Sequence, residues 1–133
     1  MFMMSMGVGQ VLGFPDVCLT PMPAPTPMPY PNLALSALTP GAVKNVLCSC
    51  TPTVNMTAAI TMSNGNQAGV ALGAVSHTIM GGANWILGSV KTFVGGTPAQ
   101  RLCSVTTCNC MGVMPNGPGA ALVPSQPRVL VLT

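Results

Sequence analysis

The sequence has almost no acidic side chains. Its 133 residues include one carboxylate side chain, Asp16, and one histidine, His77. The paired-carboxylate mechanisms of glycosidases and aspartic proteases are therefore excluded within one chain. A Ser-His-Asp set would need His77 and Asp16, but the Gly-x-Ser-x-Gly motif around a nucleophilic serine is absent. A thiol paired with His77 has six candidate cysteines and no local signature that selects one, so we expect that the protein is not an enzyme.

Charge of either sign is scarce. A soluble domain has charged side chains at roughly one quarter of its positions, whereas this chain has five: Asp16, Lys44, Lys91, Arg101 and Arg128. Such a surface is either polar through uncharged groups or covered by partners. The basic residues are scattered along the chain, whereas a nucleic-acid-binding protein clusters them. We therefore expect no nucleic-acid partner.

Long apolar runs are also missing. A membrane-spanning helix needs about eighteen or more apolar residues, and the longest candidates here, such as 70–75, are short and contain glycine. The first residues, 1–7, lack the basic region and the cleavage site of a secretory signal. We expect no stable membrane insertion and no signal peptide, so export would use another route.

What the sequence does have is alternating proline. Six prolines occupy every second position from Pro21 to Pro31. Each fixes its own φ and pushes the preceding residue out of the α region, so the segment is extended. Proline donates no N–H, which excludes it from the middle of a sheet. The residues between the prolines are mostly apolar, so we interpret segment 14–32 as an extended strap that lies against a folded body.

The rest of the chain is predicted to be β structure. Its 15 glycines and 14 prolines leave almost no room for a long helix. The length fits one domain, residues 1–133, with a β body at 42–133. One short helix is considered at 66–73, where Gly65, Gly69 and Gly73 recur every fourth residue; close packing explains this spacing as well. Runs rich in Val, Ile and Thr predict strands at 42–50, 56–62, 74–80, 84–94, 100–105 and 128–133.

A weak internal repeat supports the β assignment. Residues 43–52 match residues 90–98 if one insertion is allowed, and 128–133 resembles a truncated third copy. Each copy reads as a strand followed by a turn, and the first two end in Thr-Pro. A repeat of this size indicates one supersecondary unit packed around a common axis. The alternative is chance similarity between two β-hairpins.

The cysteines are the remaining reactive groups. Cys48 and Cys50, like Cys108 and Cys110, are two residues apart and would share one face of an extended segment. Cys103 lies just upstream of the second pair. Converging pairs would bind zinc, although the usual Cys-x-x-Cys spacing is absent. Disulfides and buried free thiols are the other two interpretations.

Several motifs in order resemble the PAAR-like tip proteins of type VI secretion systems. The name-giving proline-alanine-alanine-arginine signature corresponds to Pro98, Ala99, Gln100 and Arg101. The resemblance extends from Phe14 to about Gln126. Its motifs are Phe14-Pro15-Asp16, Pro27-Met28-Pro29-Tyr30-Pro31-Asn32, residues 88–101, Cys108-Asn109-Cys110 and Pro115-Asn116-Gly117.

This resemblance implies a small conical β domain that caps the trimeric spike protein VgrG and carries or recruits a toxin. It also implies one zinc ion near the apex. Where relatives have Arg-Leu-Gly-Asp and then a histidine, this chain has Arg101-Leu-Cys-Ser104 and then Cys108. Zinc accepts both Cys and His. The expected ligands are Cys108 and Cys110 first and Cys103 next, with Cys48, Cys50 or His77 completing the set.

Three functions follow from these observations. The first is a structural spike tip, made in the bacterial cytoplasm and exported by the injection machinery to the extracellular space or a target cell, with the effector or toxin as a separate chain. A monomer on a trimer must present a pseudo-threefold surface, which the repeat would supply. A covered base would also explain the low charge. The others are a small cysteine-based metal-binding or redox module and a small enzyme or toxin.

Overall fold

The computed structural model describes residues 1–110, 112 and 114–132. Within them the chain is mainly β, with one short 3-10 turn and no α-helix, which confirms the predicted class. None of the described helices is long and apolar enough to cross a membrane. In chain order the elements are β1 (Gln10–Pro21), β2 (Pro25–Leu35), the 3-10 turn (Ser36–Leu38), β3 (Val43–Cys48), β4 (Thr51–Thr53), β5 (Ser63–Asn64), β6 (Phe93–Val94), β7 (Thr97–Pro98), β8 (Val105–Cys108) and β9 (Gly117–Val123).

The main sheet contains five antiparallel strands in the order β5-β2-β1-β9-β8. Its centre is the long β1–β2 hairpin, in which Cys18 lies opposite Met28. Segment 14–32 is extended, as predicted, but it does not lie on the body as a strap. It forms much of both strands of this hairpin, and the register shifts at the cis Phe14–Pro15 peptide.

The alternation of the prolines explains how they enter a sheet. In β1, Leu19 donates its N–H to Leu72 (2.8 Å) and Val17 accepts from Ala74 (3.0 Å). The backbone polar groups of the odd-numbered residues therefore point toward the loop that contains Leu72 and Ala74. The even-numbered residues therefore face β2, where their partners Thr26, Met28 and Tyr30 are the residues between the prolines. The prolines at 25, 27 and 29 face an edge where no N–H is needed, because β5 covers only Leu33 and Ala34.

Strand prediction was right at β3 and largely wrong after it. Segments 56–62 and 74–80 are turns and loops, 84–94 is a strand only at its last two residues, and the strand expected at 100–105 begins at its final residue. Segment 128–132 makes one bridge, at Leu130, and Thr133 lies outside the described residues. The strands that lie wholly outside the predicted ranges are β1, β2, β4, β5, β7 and β9.

A physical reason is visible in the loop at 74–81. His77 and Met80 have φ of 53° and 55°, which interrupts an extended backbone. The helix considered at 66–73 is also absent: this stretch consists of turns. Close packing accounts for the glycines, since a Cβ at Gly65 would collide with the Pro31 carbonyl and one at Gly69 with Cys18.

Two separate groups of buried apolar residues stabilise the fold. The larger core packs between the sheet and the loops and comprises Met4, Val11, Ala34, Val54, Ala58, Ile60, Ala83, Trp85 and Ala121. The smaller core comprises Met3, Cys48, Val94, Ala99 and Val131. It draws on both hairpins of the repeat and on both ends of the chain, and it marks the first candidate site.

Candidate functional site

The two copies of the repeat are hairpins of the same type. β3–β4 turns at Ser49 and Cys50, and β6–β7 turns at Gly95 and Gly96. All four turn residues have positive φ, 52°, 64°, 63° and 82° in chain order. Two central residues with positive φ define the type I′ turn that matches the twist of a hairpin. The first two copies of the sequence repeat therefore correspond to two hairpins with the same turn type.

The third copy is completed by the two ends of the chain. Val131 donates its N–H to the Met1 carbonyl (2.7 Å) and accepts from the Met1 amine (3.0 Å). Met3 donates to Val129 at 3.0 Å, just as Ala99 donates to Thr92 at 2.9 Å in the second copy. Val131 thus corresponds to Cys48 and Val94, and the chain ends approach each other where the other copies have their turn.

The three copies meet in a closed ring of backbone hydrogen bonds. Val54 donates to Met4 (3.1 Å), Gln100 donates to Val54 (3.1 Å) and Met4 donates to Gln100 (2.8 Å). Two residues further along each strand the pattern repeats, with Met6 N–H to Pro52 (2.8 Å), Met56 N–H to Pro98 (2.9 Å) and Leu102 N–H to Phe2 (2.8 Å). These bonds define a pseudo-threefold axis that passes through the centre of the ring formed by Met4, Val54 and Gln100. We call this region the threefold end.

The motif Pro98-Ala99-Gln100-Arg101 forms one third of the ring. Ala99 bridges Asn55, and Arg101 bridges Met3. Gln100 is fully buried on the axis, where the other copies have an apolar side chain, and neither polar atom of its amide has a hydrogen-bond partner. The motif therefore acts through its backbone at this end.

The second candidate site surrounds Asp16, the only carboxylate side chain. Asp16 is fully buried, and none of the following hydrogen bonds to its carboxylate comes from a lysine or arginine side chain. Instead it accepts hydrogen bonds from four asparagine amides: Asn66 (2.7 Å), Asn32 (2.9 Å), Asn109 (3.3 Å) and Asn116. The Cys18 thiol is a fifth donor at 3.7 Å. We call this group the Asp16 cluster.

Three of these four asparagines also hold the loop at 74–81 through their side-chain carbonyl oxygens. Asn66 accepts from Met80 N–H (3.0 Å), Asn109 from Gly81 N–H (3.0 Å) and Asn116 from Val75 N–H (2.9 Å). Each amide therefore joins the buried carboxylate to a strand-free segment. Hydrogen bonds of this kind offset the large cost of burying a charge.

The Asp16 cluster explains motifs that the sequence left without a role. Asp16, Asn32, Asn109 and Asn116 come from four of the motifs, whereas Asn66 and Cys18 lie outside them. Pro15 precedes Asp16 in a cis peptide, and Tyr30, between Pro29 and Pro31, shares a 2.6 Å hydrogen bond with Thr20. Sequence reasoning quoted Asn32, Asn109 and Asn116 only as motif positions and gave no asparagine a role. The repeated placement of Asn within the motifs was the available signal.

The structure does not assemble the cysteines expected to bind zinc. All six are free; Cys48 is buried in the smaller core, whereas Cys50 and Cys103 are exposed. Contrary to expectation, neither Cys-x-Cys pair lies on one face of an extended segment. Cys50 lies in a turn, and Asn109, between Cys108 and Cys110, has φ of 47° and follows the end of β8. His77 is exposed and outside any strand. Among residues 1–110, 112 and 114–132, no three His, Cys, Asp or Glu side chains form a group that could hold a metal ion. This arrangement does not fit zinc, and the zinc site stays a prediction.

Burial makes the inner thiols weak acids. Burial, with the charge of Asp16 as the next cause, raises the pKa of Cys18 to about 11. Burial, then Asp16 and Cys18, raise the pKa of Cys108 to about 12. Burial alone raises the pKa of Cys48. A thiol that stays protonated at neutral pH is a poor nucleophile.

Comparison with known proteins identifies a family. A family model described as a toxin PAAR-like domain matches residues 9–115, well over half of the chain. No curated protein matches the chain. No solved structure matches it either.

Proposed function

The chain belongs to the toxin PAAR-like family, and we propose that it is the structural tip of a contractile injection spike of the type VI kind. In this role it caps the trimeric VgrG-type spike protein, sharpens the spike and aids puncture of the target membrane and delivery of effectors. The family itself indicates a role associated with toxins and spikes. The capping of a spike trimer is the more specific function that we propose.

The pseudo-threefold hydrogen-bond ring is the observation that carries this proposal. A single chain has no symmetry of its own. Three equivalent strand crossings around one axis therefore require three different sequence segments to adopt the same geometry. A partner with three identical subunits gives that arrangement a use, because each subunit then meets an equivalent surface. The three crossings at Met4, Val54 and Gln100 supply such a surface.

The chemistry of the chain supports a mechanical role over a catalytic one. The only carboxylate side chain is buried among amides, and the only histidine is exposed and far from it in sequence. The buried thiols Cys18 and Cys108, with pKa values raised to about 11 and 12, do not favour a redox module. We propose that the chain is made in the bacterial cytoplasm, leaves with the spike, and delivers an effector or toxin that is a separate chain.

The test is binding to a purified trimeric VgrG-type spike protein from the same organism. Light scattering on a gel-filtration column should show a complex of one chain with one trimer. A spike trimer truncated at its distal end is the control and should not bind. A full-length trimer that does not bind the chain under any salt condition would overturn the proposal.

A further inference from the structure

Each copy of the repeat has a free outer strand edge. These edges belong to β3, to β6 and to segment 128–131, and within the described part of the chain no other strand pairs with them. The inner hydrogen bonds use Thr92 in the second copy and Val129 and Val131 in the third. Backbone groups alternate in direction along a strand. The intervening residues, Phe93 and Leu130, therefore direct their N–H and C=O groups outward, and Leu47 does so by equivalence.

The same three positions have large, exposed apolar side chains. Leu47 is 62% exposed, Phe93 59% and Leu130 55%. Their sequence neighbours Cys48, Val94 and Val131 are buried in the smaller core. Because side chains alternate along a strand, the three apolar groups lie on the opposite face from that core. A single such residue would be ordinary, but three at symmetry-equivalent positions indicate a shared contact.

Positive charge follows the same threefold pattern. Three of the four basic residues of the chain, Lys44, Lys91 and Arg128, lie on or just before the three outer strands. All three are exposed. Lys91 lies three positions before the buried Val94, and Arg128 lies three positions before the buried Val131. Lys44 lies four positions before Cys48, because the first copy contains the one-residue insertion. The chain has no side-chain carboxylate to neutralise them, because Asp16 is buried in its own cluster.

We infer that these three outer edges bind the end of a homotrimer, one edge to each subunit, and that each subunit presents an unpaired strand edge, an apolar contact and an acidic side chain. This inference rests on the proposed function and adds the surface and the chemistry of the partner. Main-chain pairing supplies the fit, the apolar groups supply most of the affinity, and the charges supply orientation. The occupant is the spike trimer; a second copy of this chain has no exposed acidic side chain to offer.

Two triple variants test the inference with the same spike trimer. Leu47→Ala/Phe93→Ala/Leu130→Ala should weaken binding by about tenfold for each side chain removed. Lys44→Gln/Lys91→Gln/Arg128→Gln should remove most of the salt dependence of the wild-type affinity. Circular dichroism and thermal melting confirm that each variant is folded.

Matched controls separate the edges from general surface effects. Thr26→Glu/Gln67→Glu/Val70→Glu lowers the net charge by the same amount at exposed positions away from the three copies, and it should keep the wild-type affinity and salt dependence. Leu122→Ala, 53% exposed on β9, is the apolar control and should bind normally. If the wild type binds and both triple variants bind equally well, this inference is overturned while the proposed function stands. If the wild type itself does not bind, the proposed function fails.

Discussion

The threefold end and the Asp16 cluster hold distant segments together in different ways. At the threefold end the bonds run from backbone to backbone, and the side chains on the axis are as different as Met4, Val54 and Gln100. In the Asp16 cluster every bond to the carboxylate comes from a side chain, and each donor to Asp16 is an amide or a thiol. A backbone junction tolerates changes of residue type, whereas a side-chain cluster depends on each member.

The largest expected effect is the loss of the carboxylate. Asp16→Ala leaves four asparagine amides without their shared acceptor, and we expect a loss of about 3 to 5 kcal/mol in the free energy of unfolding. Urea denaturation monitored by tryptophan fluorescence measures it. Asn45→Ala, an exposed asparagine at the threefold end, is the control and should change stability by less than about 0.5 kcal/mol. Equal stability of the two variants would remove the distinction between the regions.

The second prediction applies one type of substitution to both regions. Asn109→Leu replaces an amide that donates to Asp16 and Thr78 and accepts from Gly81, so we expect it to destabilise the fold by about 2 kcal/mol. Gln100→Met replaces a buried amide without partners by the residue type found at Met4, so we expect it to stabilise by about 1 kcal/mol. Denaturation midpoints give both values. Changes of the same sign would contradict the comparison.

Alkaline pH should destabilise the region around Asp16, where the pKa values of Cys18 and Cys108 are strongly raised. The pKa values of Cys18 and Cys108 are raised in the folded state from 9.0 to about 11 and about 12. A raised folded pKa means that the unfolded chain releases its thiol protons first as the pH rises. Their contribution to stability is complete below about pH 9 and is lost progressively as the pH approaches the folded values. Cys108→Ala should flatten this decline in melting temperature, whereas Cys50→Ser/Cys103→Ser, at the exposed thiols, should not. A decline unaffected by either variant would assign it to other groups.

The smallest expected effect is that of removing metal. The described cysteines and His77 form no ligand group, and asparagine amides already donate to the Asp16 carboxylate. We expect the melting temperature to be unchanged by a strong chelator. Metal analysis before and after dialysis provides the control. One zinc per chain, together with a lower melting temperature on chelation, would instead support the predicted site at Cys108 and Cys110.

The sequence allowed prediction of the threefold end to a useful degree. The Val-Lys starts and Thr-Pro exits of the first two copies repeat visibly, so these copies and the truncated third were interpreted as related units, with chance similarity as the alternative. The pairing of residues 1–3 with 128–131 was missed, because nothing local indicates which distant strand an end will join. The ring at Met4, Val54 and Gln100 depends on the register between three segments far apart in the chain, which local patterns do not contain.

The Asp16 cluster was harder to predict for a different reason. An asparagine beside a proline or glycine is typical of a turn, so Asn32 and Asn116 had an adequate local explanation. Their amides meet one carboxylate only after β1, β2 and the loops have packed. The false strand at 74–80 has the same origin, because the N–H groups of Val75, Ser76 and Met80 donate to asparagine side chains. Ala74, at the start of the segment, donates to Val17 of β1.

The alternating prolines of β2 also affect how the protein behaves in a crowded solution. A long exposed strand edge is a template for unlimited addition of further chains, and natural proteins usually protect such edges with charge. This chain has almost no charge to use. Proline at 25, 27 and 29 removes the outward N–H at each of these positions, so an incoming strand finds carbonyl groups but no donors. The prolines thereby protect the protein from self-association along this edge.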